Sequence, residues 1–210
     1  PADKIEVVYQ GCDPSFIHPV AAEKKREIRA KYQLPDHYIL NVGSIEERKN
    51  ALSAVQALMM LPEQIHLVIV GRHTEYTDKI ERFIKENKLE KRVHIISNVP
   101  FDDLPVFYQL AEIFVYPSRF EGFGIPIIEA LYSGIPVVAA TGSCLEEAGG
   151  PDSIYVHPDD IKGMADAFKQ IYSDTERKKE MIEKGQKFAK RFSEEKQAVE
   201  ILNIYKKLMK

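Results

Sequence analysis

The amino-acid sequence predicts an α/β fold built on a doubly wound, parallel, six-stranded sheet. Six short apolar runs, each bounded by Gly, Pro or polar residues, alternate with stretches of helical periodicity. Continuous apolar runs of this length are typical of parallel strands that are buried on both faces. Strands that alternate with helices favour a parallel sheet with helices on both sides. The predicted strands are residues 38–42, 66–70, 93–96, 113–116, 136–139 and 154–156.

Helical patterns fill the segments between these strands and the end of the chain. The first predicted helices are residues 51–60, 74–87, 103–110, 126–133 and 160–172. Asp174 and Ser193 are typical N-cap residues, and they predict two further helices that reach about residues 190 and 209. The last helix carries an apolar stripe made of Ala198, Ile201, Leu202, Tyr205 and Leu208. This stripe either packs on the sheet or is left partly exposed.

The bulk composition excludes several classes of function. The chain has 210 residues, of which 44% are hydrophobic and 29% charged, as is usual for a globular domain. Its formal net charge of −3 argues against nucleic acid as a partner, so any phosphate site must be built locally. Cys12 and Cys144 lack the spacing of a disulfide framework or a metal site, which favours a reducing compartment. Because the chain begins at Pro1 rather than Met, we expect a fragment of a longer protein.

The stretch from Glu121 to Glu129 is the most informative part of the chain. It follows a predicted strand and reads Glu-Gly-Phe-Gly-Ile-Pro-Ile-Ile-Glu, with two carboxylates eight positions apart. Gly122 and Gly124 let a ligand approach the backbone, and Pro126 fits the first position of a helix, where free N–H groups favour an anion. A sugar nucleotide suits this arrangement, since one carboxylate can meet the sugar and the other the ribose. Taken alone, the motif also fits an ordinary Gly-rich turn with two solvated glutamates.

Four segments, taken together and in this order, carry a family resemblance. They are NVGSIEERKN at 41–50, PSRFEGFGIPIIEAL at 117–131, GIPVVAA at 134–140 and SCLEEAG at 143–149. The chain resembles the retaining glycosyltransferases with the GT-B fold, in the family called glycosyl transferases group 1 or family 4, which includes mannosyltransferases and sucrose and glycogen synthases. The resemblance implies a mannosyltransferase-like, donor-binding carboxyl-terminal domain, with a Rossmann-like sheet and extra helices at its end.

The resemblance also implies roles for individual residues. Arg48 and Lys49 would contact the diphosphate and Glu121 the hydroxyls of the donor sugar, and these three are the predicted catalytic residues. Glu129 would accept hydrogen bonds from the ribose. The remaining predicted donor-binding residues are Gly43, Gly71, Val99, Gly122, Phe123, Gly124 and Ile125. Without the surrounding match, the basic pair also fits a solvated loop and Val99 fits plain loop packing.

The chain departs from the common pattern of the family after its first strand. Many relatives carry Arg directly after the glycine and Lys-Gly later, whereas this chain has Ser44, Lys49 and Asn50. This variant leaves open whether Arg48 takes the role of the missing arginine. Retaining members are described as reacting on one face of the sugar, with the leaving phosphate helping to deprotonate the acceptor, so Glu121 need not be a nucleophile.

No cofactor and no metal are expected. The sequence contains no Asp-x-Asp, and its adjacent acidic pairs at 102–103 and 159–160 are typical of helix starts. Departure of a diphosphate needs charge stabilisation, which fixed cations and N–H dipoles can supply without a metal ion. The basic pair and the predicted helix start at Gly124 provide such groups.

The resemblance also implies domain boundaries within the chain and the partners of the enzyme. Residues 1–19 would form an interdomain connection, 20–192 the nucleotide-sugar-binding domain, and 193–210 a terminal helix that crosses to a missing amino-terminal acceptor lobe. The enzyme would move a hexose, mannose-like or other, from a nucleoside-diphosphate sugar to a saccharide or lipid-linked acceptor in surface polysaccharide synthesis. It would be cytoplasmic, with peripheral membrane association through that lobe, and this fragment would be inactive alone.

Two other classes of protein compete with this interpretation. A stand-alone nucleotide-sugar-binding domain without transfer activity would show the same motifs. A nicotinamide-dependent dehydrogenase is disfavoured, because no G-x-G-x-x-G follows the first predicted strand: Gly43 is followed by Ser-Ile-Glu-Glu-Arg-Lys.

Overall fold

The computed structural model describes residues 4–209 and contains one parallel sheet of six strands. The strands are β1 (Tyr38–Val42), β2 (His66–Val70), β3 (Val93–Ile96), β4 (Ile113–Tyr116), β5 (Val137–Ala140) and β6 (Ile154–Val156). They lie in the order β3-β2-β1-β4-β5-β6, and every neighbouring pair is parallel. The predicted doubly wound α/β fold is therefore confirmed.

Nine α-helices lie within the described part of the chain. They are α1 (Ala22–Tyr32), α2 (Ala51–Leu58), α3 (Glu75–Glu86), α4 (Leu104–Leu110), α5 (Ile125–Tyr132), α6 (Leu145–Gly149), α7 (Ile161–Ser173), α8 (Thr175–Ala189) and α9 (Glu194–Leu208). The side chains of Asp174 and Ser193 accept hydrogen bonds from the backbone at the starts of α8 and α9, as predicted. Such caps satisfy N–H groups that have no partner inside the helix.

Several local features differ from the predictions, among them helix α2, which ends at Leu58 rather than at residue 60. The sequence did not predict α1, which buries only Ile28 and so shows no apolar periodicity, or α6, which has five residues. Strand β5 begins at Val137, one residue later than predicted, because Pro136 has no N–H for the ladder. Helix α5 begins at Ile125, so Pro126 occupies the second helical position rather than the first.

Both faces of the sheet are covered by apolar side chains, because successive strand residues point to opposite faces. In β1, Tyr38, Leu40 and Val42 belong to one buried cluster, whereas Ile39 belongs to the other. All five residues of β1 are buried, which explains why four of them are apolar, and the side chain of the fifth, Asn41, donates to the carbonyl of Val115 at 2.9 Å.

The sheet has a topological switch point between β1 and β4. The chain continues from β1 to β2 on one side of this point, and from β4 to β5 on the other. The loops that follow β1 and β4 therefore leave in opposite directions and open a crevice at the carboxyl ends of the two strands, where ligands of such folds bind. Both predicted motifs follow these two strands.

The segment before α1 lies against the start of α9. Cys12 forms an isolated parallel bridge with Ser193, and the N–H of Gly11 donates to Oε1 of Gln197 at 2.9 Å. No residue of α9 is buried, and its apolar stripe is exposed rather than packed on the sheet. The division at residues 19 and 192 stays a prediction, and its two outermost ends lie outside residues 4–209. Within that range, no helix combines the length and apolar character that crossing a bilayer requires.

Replacing Gly71 by alanine should destabilise the fold strongly. A Cβ atom at this position would lie 1.9 Å from the carbonyl oxygen of Gly43, so the loops after β1 and β2 would have to move apart. Overpacking of this kind costs about 1–3 kcal/mol or more in the free energy of unfolding, measurable by urea denaturation. Gly122→Ala is the matched control, because its Cβ would meet nothing within 4 Å. Equal free energies of unfolding for the two variants would contradict this prediction.

Candidate functional site

The loop after β1 places Lys49 over Gly43. The chain leaves β1 through Gly43, whose φ of +146° favours glycine, and then forms a short 3-10 helix at Glu47–Lys49. A Cβ atom on Gly43 would lie 3.4 Å from both Cδ and Nζ of Lys49. Glycine at this position therefore leaves room for the lysine side chain to fold back over the end of the strand.

Glu121 and Lys49 form an ion pair across the switch point. Nζ of Lys49 lies 3.0 Å from Oε1 of Glu121, and only 14% and 10% of their side-chain surfaces are exposed. The same carboxylate oxygen accepts from the hydroxyls of Ser118 at 2.6 Å and Tyr116 at 3.0 Å. Three donors therefore converge on Oε1, and they hold the loop after β4 against the loop after β1.

The surroundings of Glu121 keep it ionised. Burial alone would raise the pKa of its carboxyl, but the hydrogen bonds from Ser118 and Lys49 outweigh burial, and its pKa lies below its usual value. Burial and the neighbouring Glu121 raise the pKa of Tyr116, so its hydroxyl remains a donor at neutral pH. The site thus contains a fixed carboxylate acceptor and a fixed ammonium donor.

Arg48 is the more exposed member of the basic pair. Its side chain is 44% exposed, its Nη1 lies 3.6 Å from Oε2 of Glu121, and it donates to the carbonyl of Phe120 at 3.0 Å. Its Nε donates to Glu46 at 2.9 Å. In turn, the backbone carbonyl of Arg48 accepts from the N–H of Arg119 at 2.8 Å. Neither cation of the predicted pair is a freely solvated loop side chain.

Glu129 occupies a separate, more apolar position on α5. Its Oε2 accepts a 2.6 Å hydrogen bond from the hydroxyl of Tyr108 on α4, and this tyrosine is fully buried. Burial raises the pKa of Glu129, whereas the Tyr108 hydrogen bond lowers it. Of the two carboxylates of the motif, Glu121 therefore has a cationic partner, whereas the hydrogen bond to Glu129 comes from a phenol.

The turn between the two carboxylates ends in a left-handed glycine. Gly124 has a φ of +111°, and a Cβ atom there would also lie 2.9 Å from a methyl group of Leu145. Across residues 4–209, no hydrogen-bond acceptor is found for the N–H groups of Phe123, Gly124 or Ile125. Free N–H groups at the start of a helix attract an anion. The ring of Phe123 stacks on Tyr9 at 5.3 Å, so its backbone is the part left for a ligand.

The remaining predicted site residues do not take part in the ion pair or in the Tyr108–Glu129 hydrogen bond. Gly71 packs against the backbone of Gly43, Val99 packs against the core, and Gly122 is exposed. Their assignment to the donor stays a prediction, as does that of the whole set. The sequence reasoning did not identify Tyr108, Tyr116 or Ser118, although the last two directly precede Glu121 in the motif region.

One described group could hold a metal ion by geometry. The ligand atoms of His73, Asp78 and Glu81 lie within 4.8 Å of one another, and all three residues are exposed. They lie at the start of α3 and none of them contacts the Lys49–Glu121 pair. Exposed acidic groups of this kind are common without an ion, so the cluster does not argue for a metal in the reaction.

A concavity that does not involve the ion pair lies beside α5 and α8. Its volume is about 550 Å³, and it is lined by Ile17, Tyr132, Glu183, Gln186, Lys187 and Lys190. It contains none of the free N–H groups of the α5 turn and none of the ion-paired residues. We therefore place the candidate site at the carboxyl ends of β1 and β4, where donors for an anion converge.

Comparisons with known proteins find relatives that match nearly the whole chain. O-antigen chain mannosyltransferase B of Escherichia coli is 32% identical over 213 residues, which cover 99% of this chain and 56% of that protein. Sucrose-phosphate synthase from Thermosynechococcus elongatus superposes with a TM-score of 0.86 at 26% identity, covering 97% of this chain and 52% of that one. HepE of Anabaena superposes with a TM-score of 0.89 at 20% identity, covering 99% of this chain and 58% of that one.

The chain spans about half the length of these proteins, as the covered shares of 56%, 52% and 58% show. The family model described as glycosyl transferases group 1 matches residues 24–188, which include all the predicted site residues. This chain therefore belongs to the glycosyl transferases group 1 family.

Proposed function

We propose that this chain is the donor-binding domain of a retaining glycosyltransferase. The enzyme would move a hexose, mannose or a similar sugar, from a nucleoside-diphosphate sugar to a saccharide or lipid-linked acceptor in surface polysaccharide synthesis. The observation that carries the proposal is the ion pair between Lys49 and Glu121 at the switch point, 3.0 Å long, beside the free N–H groups of the α5 turn. A cation, a carboxylate and the free backbone donors that follow this carboxylate in the same loop support the proposal of one donor site.

The cations retain donors for a diphosphate. An ammonium group has three N–H donors, and Lys49 uses two of them on Tyr116 and Glu121, which leaves one for a phosphate oxygen. The guanidinium of Arg48 has five donors, of which the contacts to Glu46 and Phe120 engage two. Together with the N–H groups of the α5 turn, they can neutralise the charge that develops on the departing diphosphate.

The hydrogen bonds of Glu121 favour a binding role over a nucleophilic one. Oε1 already accepts from Lys49, Tyr116 and Ser118, so its lone pairs are engaged. Oε2, which lies 3.6 Å from Arg48, is left to accept from sugar hydroxyls. In the proposed reaction, the bond from the anomeric carbon to the diphosphate breaks with its electron pair on the phosphate. The acceptor hydroxyl gives its proton to that phosphate and bonds to the same face.

The relatives support the chemical class of donor and product. One is named as an O-antigen chain mannosyltransferase. Another is described in complex with UDP-glucose. This chain spans about half of each relative, so the acceptor and the complete reaction are proposed for the longer protein.

A thermal-shift panel of UDP-, GDP- and ADP-sugars tests this function. A ligand that binds only the folded state at about 100 times its Kd stabilises it by about 2.7 kcal/mol, which raises the Tm of a domain this size by about 5 °C or more. We expect one nucleotide class to give this shift. No shift with any of the three would contradict the proposal. Binding without transfer by the full-length protein would instead favour a stand-alone binding domain.

Chelation of divalent metal should leave donor binding nearly unchanged. Lys49, Arg48 and the N–H groups of the α5 turn supply the neutralising charge, so no bridging metal ion is needed. Calorimetry of the donor identified by the panel, with excess Mg²⁺ and then with EDTA, measures the difference. A tenfold or greater loss of affinity in EDTA, about 1.4 kcal/mol, would count against the proposed site.

A further inference from the structure

Tyr108 is fixed in place by its neighbours. The residue lies on α4 and is fully buried. Its ring makes an edge contact with Phe16 at 5.3 Å and packs against Phe114 at the same centroid distance. Because the ring cannot swing freely, its hydroxyl has one position, 2.6 Å from Oε2 of Glu129.

The two oxygens of Glu129 differ in their surroundings. Oε2 accepts from Tyr108, whereas Oε1 has no hydrogen-bond donor within residues 4–209. Oε1 is nevertheless not among the atoms that are closed off from solvent without a partner. One carboxylate oxygen is therefore held by the protein, and the other has no protein donor among the described residues and is not completely enclosed.

Within residues 4–209, no cation is among the groups that shift the pKa of Glu129. The titratable groups near it are Tyr108 on α4, Tyr116 on β4, and Cys12 and Asp13 in the segment before α1. Burial raises the pKa of Glu129, the Tyr108 hydroxyl lowers it, and Asp13 raises it again. Burial also raises the pKa of Cys12, so this thiol is neutral at physiological pH. Tyr108 is thus the one neighbour in this set that favours the charged carboxylate.

We propose that Tyr108 is a positioning residue for the nucleotide. Its hydroxyl holds Oε2 of Glu129 and keeps this carboxylate charged, so that Oε1 accepts hydrogen bonds from the ribose hydroxyls. The proposal deepens the proposed function, since it rests on Glu129 being the ribose-binding residue. It differs from a packing role, because removing the hydroxyl alone should change the charge state of another residue.

Loss of the Tyr108 hydroxyl should make nucleotide binding more sensitive to acid. In Tyr108→Phe the carboxyl of Glu129 loses the hydrogen bond that lowers its pKa, so its pKa rises further. Ligand affinity then falls at a higher pH than in the wild type, since a protonated carboxyl accepts poorly from ribose hydroxyls. The affinity ratio of wild type to variant should therefore grow as the pH falls.

Titration of Glu129 by ¹³C NMR of its carboxyl carbon tests the first half of the proposal without any ligand. The signal is assigned by its loss in Glu129→Gln. Tyr108→Phe should raise the pKa of Glu129 by about one unit or more, which corresponds to a tenfold change in its ionisation. Tyr38→Phe is the matched control, because it removes another buried hydroxyl, which donates to the carbonyl of Phe107 at 2.6 Å. An unchanged pKa in Tyr108→Phe, or an equal shift in Tyr38→Phe, would overturn the proposal.

Calorimetry with UDP, GDP and ADP at about pH 8 and about pH 5.5 tests the second half. For the tightest of the three, Tyr108→Phe should weaken binding several-fold at the higher pH and about tenfold or more at the lower pH. Glu129→Gln should weaken binding equally at both, because the titrating group is gone. A pH-independent ratio for Tyr108→Phe would refute the ribose role. If the wild type binds none of the three, the proposed function fails, while the NMR titration still decides whether Tyr108 controls Glu129.

A second substitution covers the case in which Tyr108→Phe does not fold. Incorporation of 3-fluorotyrosine at position 108 keeps the ring and makes the hydroxyl a stronger donor. The pKa of Glu129 should then fall rather than rise. A rise, or no change, would contradict the proposal.

Discussion

Replacing Lys49 by methionine should weaken binding of a nucleoside diphosphate by about tenfold or more, since a hydrogen bond to a charged group contributes about 1.5–3 kcal/mol. Methionine keeps the length and most of the volume of the side chain but removes its charge. Lys49 lies over Gly43 and pairs with Glu121, which precedes the α5 turn, so the loss should affect the diphosphate rather than the base. Calorimetry with the nucleotide class found in the thermal-shift panel measures the change.

The same variant should also be less stable, and the cost should depend on pH. In the wild type the pKa of Glu121 lies below its usual value, so its ionisation contributes stability at neutral pH that is lost as the pH falls through that pKa. In Lys49→Met, burial of Glu121 is no longer offset by the ammonium, and its pKa rises. The stability difference between wild type and variant should therefore be largest near neutral pH and shrink in acid. A difference that is constant with pH would contradict the ion pair as its cause.

Two controls separate binding from stability. Lys31→Met breaks a comparable ion pair, 2.8 Å long, with the buried Asp103. It should cost stability but leave nucleotide binding unchanged. The double variant Lys49→Met/Glu121→Gln should recover much of the stability, because no carboxylate is left unpaired, but it should not recover binding. Recovery of binding by the double variant would mean that Lys49 acts only by neutralising Glu121.

Glu129→Ala should weaken binding of the bare nucleoside diphosphate by about tenfold or more, whereas Glu121→Ala should not. Glu129 is assigned to the ribose, which every nucleotide carries, and Glu121 to the hexose, which the free diphosphate lacks. Glu121→Ala also releases Lys49 from its ion pair, so the bare diphosphate should bind equally well or more tightly.

A single titration series with both variants, against the nucleoside diphosphate and the intact sugar nucleotide, tests whether Glu129 binds the ribose and Glu121 the hexose. Glu121→Ala should show its loss only with the sugar nucleotide. If it loses the bare diphosphate as severely as Glu129→Ala does, the two carboxylates do not divide the ligand in the proposed way.

The strands could be predicted almost to the residue, whereas some helices could not. Burial on both faces makes β4 a continuous apolar run and β1 apolar except for Asn41, and such runs are visible without knowledge of the fold. Helix α1 buries one side chain, Ile28, so its sequence carries no apolar period. Ile28 packs into the buried cluster on one face of the sheet, and this tertiary contact cannot be inferred from the sequence of the helix alone.

In the candidate site, the sequence likewise identified individual residues but not the contacts between them. The glycines, the basic pair and the two glutamates have recognisable spacing along the chain. The contact from Tyr108 to Glu129 joins residues 21 positions apart on two different helices, and the contact from Lys49 to Glu121 spans 72 positions. Such contacts depend on the strand order, so single-sequence reasoning could name the ion-paired residues but not their pairing. Gly71 is assigned to the donor site from its position after a strand. The structure shows that a glycine is also required there by packing, because its backbone lies against the backbone of Gly43.

A ¹H–¹⁵N NMR titration with the sugar nucleotide that stabilises the domain tests the central claim most directly. The largest chemical-shift changes should fall on the backbone N–H groups of Gly43, Phe123, Gly124 and Ile125, at the carboxyl ends of β1 and β4. Changes concentrated instead around Tyr132 and the concavity that it lines, with Gly124 unaffected, would contradict it.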